Sequence, residues 1–268
     1  MTMRKTTRGA AKRPICLCHD RILAGDEKLK AMTASVKENP ANKPRLPGRL
    51  MGVSMHPIKM ALFAGKRWRP GRTLRCCFLD GSEIQRRKVQ EHAVEWTRWA
   101  NINLDFSVPR RQSDIRISFV ADKGSWSYIG TDNLVISRDK PTMNYGWLRD
   151  DTADEEWRRV VLHEFGHALG CIHEHQNPRG GIRWNEEAVY RHFGGPPNNW
   201  PRQSVKANVI DKYSLDQLNA DEFDADSIML YPYPPDLIQG GRGTKMNTTL
   251  SERDKRFIAT IYPGADRR

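Results

Sequence analysis

The sequence predicts an α/β fold of the α+β kind, built on a mixed sheet. Strand-like runs alternate with two long helical patterns between residues 72 and 169, further short strand signals cluster between those helices, and the chain past residue 174 turns irregular. The 268 residues are 38% hydrophobic and 28% charged, enough apolar material for one large domain or two small ones. No run of about 18 apolar residues occurs, so no membrane span is expected.

Taken in order, residues 72–79 (RTLRCCFL) read as a strand running into the Asp80-Gly81 turn. Ser82 then caps a helix over residues 83–101, with Val89, Ala93, Trp96, Trp99 and Ala100 along one side. Residues 103–108, 114–120, 126–130 and 143–148 read as four further strands. A second long helix starts at Asp151 or Thr152 and carries the apolar stretch 160–169. Shorter helices are expected over residues 185–193 and 251–261, and the sequence has no internal repeat.

The net charge of +12 is confined to one end. Residues 1–72 hold 17 Lys and Arg against four acids, a balance of +13, whereas residues 73–268 balance at −1. Residues 1–66 also carry five prolines and scattered apolar residues, with a short helix expected over residues 26–37. Residues 1–66 therefore read as a basic tail or prosegment, and residues 67–268 as the folded domain. Without interleaved aromatics or a nucleic-acid-binding motif, the tail predicts no specific nucleic-acid partner. No apolar leader is present, which predicts a cytoplasmic protein or one exported by a non-standard route. Five cysteines, with one C-x-C pair and one adjacent pair, make no disulfide framework. Cys16 and Cys18 alone make a poor metal site, two ligands short of four. Cys171, read as lying on the second long helix, is expected to be a small buried apolar residue.

The chemistry is concentrated in residues 161–175, VLHEFGHALGCIHEH. On a helix, His163 and His167 project from one face a turn apart, about 5–6 Å between Cβ atoms, which suits two imidazoles reaching one ion. Glu164 is then beside the metal without binding it, where it can take a proton from a water at the ion. Gly170 can adopt positive φ and end the helix, turning His173 back as a third ligand. Three imidazoles leave a fourth place open, the arrangement of a catalytic zinc site with one Zn2+ per chain. A second segment, residues 226–233 (DSIMLYPY), resembles the methionine turn of the metzincins, which implies Met229 as an apolar platform under the imidazoles and Tyr231 with its phenol toward the metal.

H-E-x-x-H-x-x-G-x-x-H together with S-x-M-x-Y resembles the astacin family of metzincin zinc peptidases, in its microbial form. Glu174 after the third histidine, the string HEHQNP at 173–178, WSYIG at 126–130, RWRPGRTLRCCF at 67–78 and LSERDKRFIATIYP at 250–263 extend the resemblance over about residues 67–264. The resemblance implies a metzincin-like fold: a mixed, mostly parallel sheet with two long helices above an irregular C-terminal subdomain, and a zinc cleft between. It implies an endopeptidase acting on protein or extended peptide substrates, which lie antiparallel along the strand at 126–130. Glu164 is implied as the base, Tyr231 as oxyanion donor, and Glu174 as partner of a freed N-terminus. Two departures stand out. No cysteine set matches the two disulfides of animal relatives, and the string nearest the aspartate that blocks the zinc in many relatives, Phe63-Ala64-Gly65-Lys66, carries lysine instead.

Overall fold

Strand β1 (Arg72–Phe78) pairs in parallel with β2 (Ile102–Asp105) on one side and β3 (Ile115–Ser118) on the other. β3 pairs in parallel with β5 (Met143–Tyr145), and β5 is flanked by the antiparallel edge strand β4 (Ser125–Ser127). The five-stranded order is β2-β1-β3-β5-β4, mostly parallel as expected. All four residues of β3 are buried, as a central parallel strand covered on both faces requires. The structure, a computed structural model, describes residues 18, 21, 23, 25–44, 65–196, 198–212 and 222–264. No helix among these is long and apolar enough to cross a membrane.

Helix α1 (Gly25–Glu38) precedes the sheet, α2 (Glu83–Ala93) follows β1, and α3 (Asp154–Ala168) follows β5. Ser82 and Gln85 form a reciprocal capping box at the start of α2. The helix expected to reach residue 101 tightens to 3₁₀ over Val94–Arg98, where Trp96 turns inward and donates Nε1–H to the Leu162 carbonyl of α3 at 3.0 Å. α3 starts later than expected. Thr152 accepts from the Arg149 N–H and closes a turn, so its hydroxyl is spent before the helix begins. Three acids in the first turn, Asp154, Glu155 and Glu156, complement the helix dipole instead.

β4 is shorter than expected because the chain after it dives under another segment. Thr131 N–H bonds the Lys66 carbonyl, and a Cβ at Gly130 (φ +49°) would lie 1.9 Å from that oxygen. The buried Arg116 fixes the loop leading to β5, donating to the carbonyls of Lys140 at 2.8 Å and Ile136 at 3.0 Å.

Past α3, helix α4 (Glu186–Gly194), helix α5 (Arg202–Val205), which runs into a π-helical turn at Lys206–Ile210, and helix α6 (Glu252–Ile261) build the C-terminal part. Two large apolar clusters result, beside a small third one of Leu23, Ala31 and Ile136. One unites the sheet with α2, α3 and α6, and the other gathers Trp184, Val189, Phe193, Val205, Val209 and Tyr233. Residues 228–231 pass between them: Ile228 and Met229 belong to the first, Leu230 and Tyr231 to the second.

α1, expected over 26–37, packs on the 3₁₀ turn Gly130–Val135 rather than trailing in solvent. The fully buried Asn42 ties it to the residues before β1, donating to the Arg67 carbonyl at 2.7 Å and accepting the Arg67 N–H at 3.2 Å. Trp68, also fully buried, donates Nε1–H to the Ala168 carbonyl at 2.8 Å, and Tyr262 donates to the Leu169 carbonyl at 2.6 Å. Tyr262→Phe keeps the ring but orphans the Leu169 carbonyl and the Trp68 N–H. It should destabilise the protein by about 1–3 kcal/mol in chemical denaturation.

Candidate metal and catalytic site

His163, Glu164 and His167 occupy the last turns of α3, all buried. The helix closes in a Schellman pattern: Cys171 N–H bonds the Gly166 carbonyl at 2.9 Å and Gly170 N–H the His167 carbonyl at 2.8 Å. Gly170 sits at φ +100°, which a side chain would strain. The reversal carries His173 back against His167, with their Nε2 atoms 3.2 Å apart. Cys171 lies in this turn, beyond the helix where the sequence reading put it, and is buried as expected.

Backbone carbonyls fix the protonation of two imidazoles. His163 Nδ1 faces the Ile228 carbonyl at 2.8 Å, and His167 Nδ1 faces the Cys171 carbonyl at 3.0 Å. A carbonyl only accepts, so each Nδ1 carries the proton and each Nε2 offers a lone pair. Burial, then the nearby His167 and His173, hold His163 well below the ordinary imidazole range, in the neutral form a metal needs. A tetrahedral ion with arms of about 2.0–2.1 Å has ligand-to-ligand edges of roughly 3.3–3.4 Å. The His167–His173 spacing fits that edge, and the donor set suits zinc. His173 is in turn stacked on His175, whose Nε2 faces the Asn208 carbonyl and whose Nδ1 faces the Tyr233 hydroxyl.

Met229 is buried, and its sulfur passes where a Cβ at Gly166 would be only 2.4 Å away. The glycine between the two helical histidines is thus what admits the thioether beneath the helix. Asp254 on α6 holds this turn from below, accepting from Ser227 Oγ at 2.7 Å and Ile228 N–H at 2.8 Å, while burial pushes its carboxyl above the ordinary aspartate range. Glu174 accepts from Asp224 N–H and the Asn177 amide, and burial pushes it up to about 7. It braces the descending chain and is not among the groups whose ligand atoms converge. Tyr231 lies with its hydroxyl 2.7 Å from His163 Nε2, and burial raises its pKa well above the ordinary phenol value.

A fourth ligand-type atom joins the three histidines. The Cys18 thiol lies with the three imidazoles in one group whose ligand atoms are all within 4.8 Å of one another. Its sulfur is 3.4 Å from Glu164 Oε2, and its backbone N–H donates to the Tyr231 oxygen at 2.9 Å. The sequence reading weighed Cys18 only with Cys16, which lies outside the described residues, whereas the fold brings it to two imidazoles of α3 and to His173 past the turn, 145 and more residues away. Asp254 and His175 were likewise missed: each acts through backbone or ring contacts that no short motif encodes.

No family model matches the chain, and no curated relative matches it either. Solved structures do. A structure of myroilysin is 41% identical, with a TM-score of 0.72, covering 74% of this chain and 96% of its own. A second crystal structure of myroilysin gives 36% identity and a TM-score of 0.59, over 83% of this chain and 99% of its own. High choriolytic enzyme 1, a hatching enzyme zinc-protease from the medaka fish Oryzias latipes, aligns at 19% identity and a TM-score of 0.47, over 74% and 94%. With the myroilysin identity extending over that share of both chains, the protein belongs to the astacin-like metzincin metalloproteases.

Proposed function

We propose that the protein is a zinc-dependent endopeptidase in which His163, His167 and His173 hold the ion and Glu164 is the general base, acting on proteins or extended peptides. The observation that carries this is the convergence of three buried imidazoles, two of them held by carbonyls at Nδ1 so that their Nε2 atoms turn toward one point, beside a buried glutamate. Bound there, zinc supplies Lewis acidity toward water and the scissile carbonyl. Glu164 takes the proton of the attacking water and delivers it to the leaving amine. Tyr231, whose hydroxyl faces His163 Nε2 here, would turn its O–H to the oxyanion that develops on the scissile carbonyl. The edge strand β4 offers its outer side for an antiparallel substrate strand. Gly166 and Met229 keep the imidazole platform level.

Residues 1–66 form, on this reading, a prosegment that keeps the enzyme latent. Its Cys18 thiol would be a fourth donor to the ion, and it engages Glu164 and ties down the Tyr231 oxygen by its N–H, so one residue bears on base, oxyanion donor and open position together. The lysine where relatives carry a blocking aspartate is then no gap in the latency device.

Three outcomes are expected. Glu164→Gln should retain about one equivalent of zinc by elemental analysis while kcat falls about 10²–10⁴-fold; loss of metal or retained activity overturns the base assignment. Tyr231→Phe should keep zinc and fold yet lose about 10–10³-fold in kcat with little change in KM on a fluorogenic peptide. If Tyr231 only packs, the phenylalanine variant will match wild type. Full-length Cys18→Ser should hydrolyse the same peptide at least about tenfold faster than full-length wild type, since each 1.4 kcal/mol of lost blocking contact is a factor of ten.

A further inference from the structure

The N-terminal segment does more than reach the histidines: its Arg21 and Leu23 rest on aromatic side chains of β4 and of the residue after it. From Cys18 at the imidazoles the chain passes Arg21, whose guanidinium carbon sits 4.1 Å over the centre of the Trp126 ring, and reaches Leu23, buried with Ile136 against Tyr128. Trp126 and Tyr128 stand two residues apart on and just beyond β4, on one face of the chain, with rings at 6.0 Å and 85° to each other. Arg21 Nε is buried without a hydrogen-bond partner, and among the described residues no carboxylate pairs with Arg21. The indole face is what receives its charge. Guanidinium on indole is the strongest of the side-chain cation–π pairs, more so when desolvated.

Resting on the latent-peptidase reading above, we propose that the Trp126 face is a substrate subsite for an arginyl side chain, which Arg21 fills while the segment is in place. A substrate strand along β4 enters the same trench once the segment leaves, and its side chain a few residues from the scissile bond meets the exposed indole. An antiparallel strand puts that residue on the amino-terminal side of the cut. Lysine, a compact and strongly hydrated charge, is the weaker occupant.

The test uses full-length protein and two readouts. In the first, a synthetic peptide of residues 15–24 and its twin with citrulline at the Arg21 position, neutral but of the same shape, are titrated calorimetrically into the Cys18→Ser, Arg21→Ala, Glu164→Gln triple variant, whose own segment no longer fills the indole face. The arginine peptide should bind about five- to thirtyfold more tightly than its twin. Trp126→Leu should erase the difference, and Trp126→Phe, which keeps a ring and loses no hydrogen bond, should keep part of it. Equal binding of the twins, no binding of either, or a preference that survives Trp126→Leu overturns the subsite. In the second, a peptide library digested by Cys18→Ser protein should show arginine enriched at one position amino-terminal to the cut, an enrichment lost with Trp126→Leu. Cleavage without basic enrichment overturns the subsite and leaves the peptidase standing. Preferential binding without any cleavage keeps the subsite and overturns the peptidase reading.

Discussion

The carboxyl end of α3 is buried, so the carbonyl groups that an exposed helix would give to water need donors from the protein. Two come from distant parts of the chain, Trp68 for Ala168 and Tyr262 for Leu169, and the turn residues themselves serve Gly166 and His167, while Trp96 adds a bond at Leu162 inside the helix. The start of the folded domain, the end of α2 and the end of α6 are thereby tied to the one turn that reverses the chain toward His173. An unpaired buried carbonyl costs about 1–3 kcal/mol, so each tie also selects this ending of the helix over a frayed one.

The same economy of carbonyls governs the imidazoles. Cys171, placed by the Schellman turn, gives its carbonyl to His167, and Ile228, placed by Asp254, gives its carbonyl to His163. Helix termination and the Met229 turn therefore do two tasks at once, setting ring position and protonation before any ion arrives. Preorganisation of this kind lets binding energy go to the metal and substrate rather than to ordering ligands. The cost is burial of Asp254 and Glu174, both raised above their ordinary range by desolvation and held by backbone N–H groups.

Much of this was legible in the sequence because the signals are local. The i, i+4 histidines, Gly170, Met229 and Tyr231 are read from a few consecutive residues, and the parallel sheet from alternation of strand and helix patterns. Boundaries failed where tertiary contacts override local preference. Trp96 is drawn inward at the cost of the last α-helical turns of α2, and Lys66 backbone crowds residues 130–131 out of the edge strand. Cys18 was illegible for a deeper reason. A single thiol in a basic stretch carries no periodicity or spacing, and its meaning appears only when the fold brings it to Glu164 and Tyr231.

Asn42 has a consequence for how such a segment could leave. Its amide, with Asn39, holds α1 to the backbone of residues 67–68 through bonds that no break in the chain between residues 45 and 64 would remove. A cut there would turn a tethered ligand into a separate one, still seated but now subject to mass action. The tether's effective concentration, of the order of millimolar for a short linker, would be replaced by the actual concentration of the released piece. Dilution would then complete what the cut begins, and a concentrated store of cut protein would stay largely shut until dispersed.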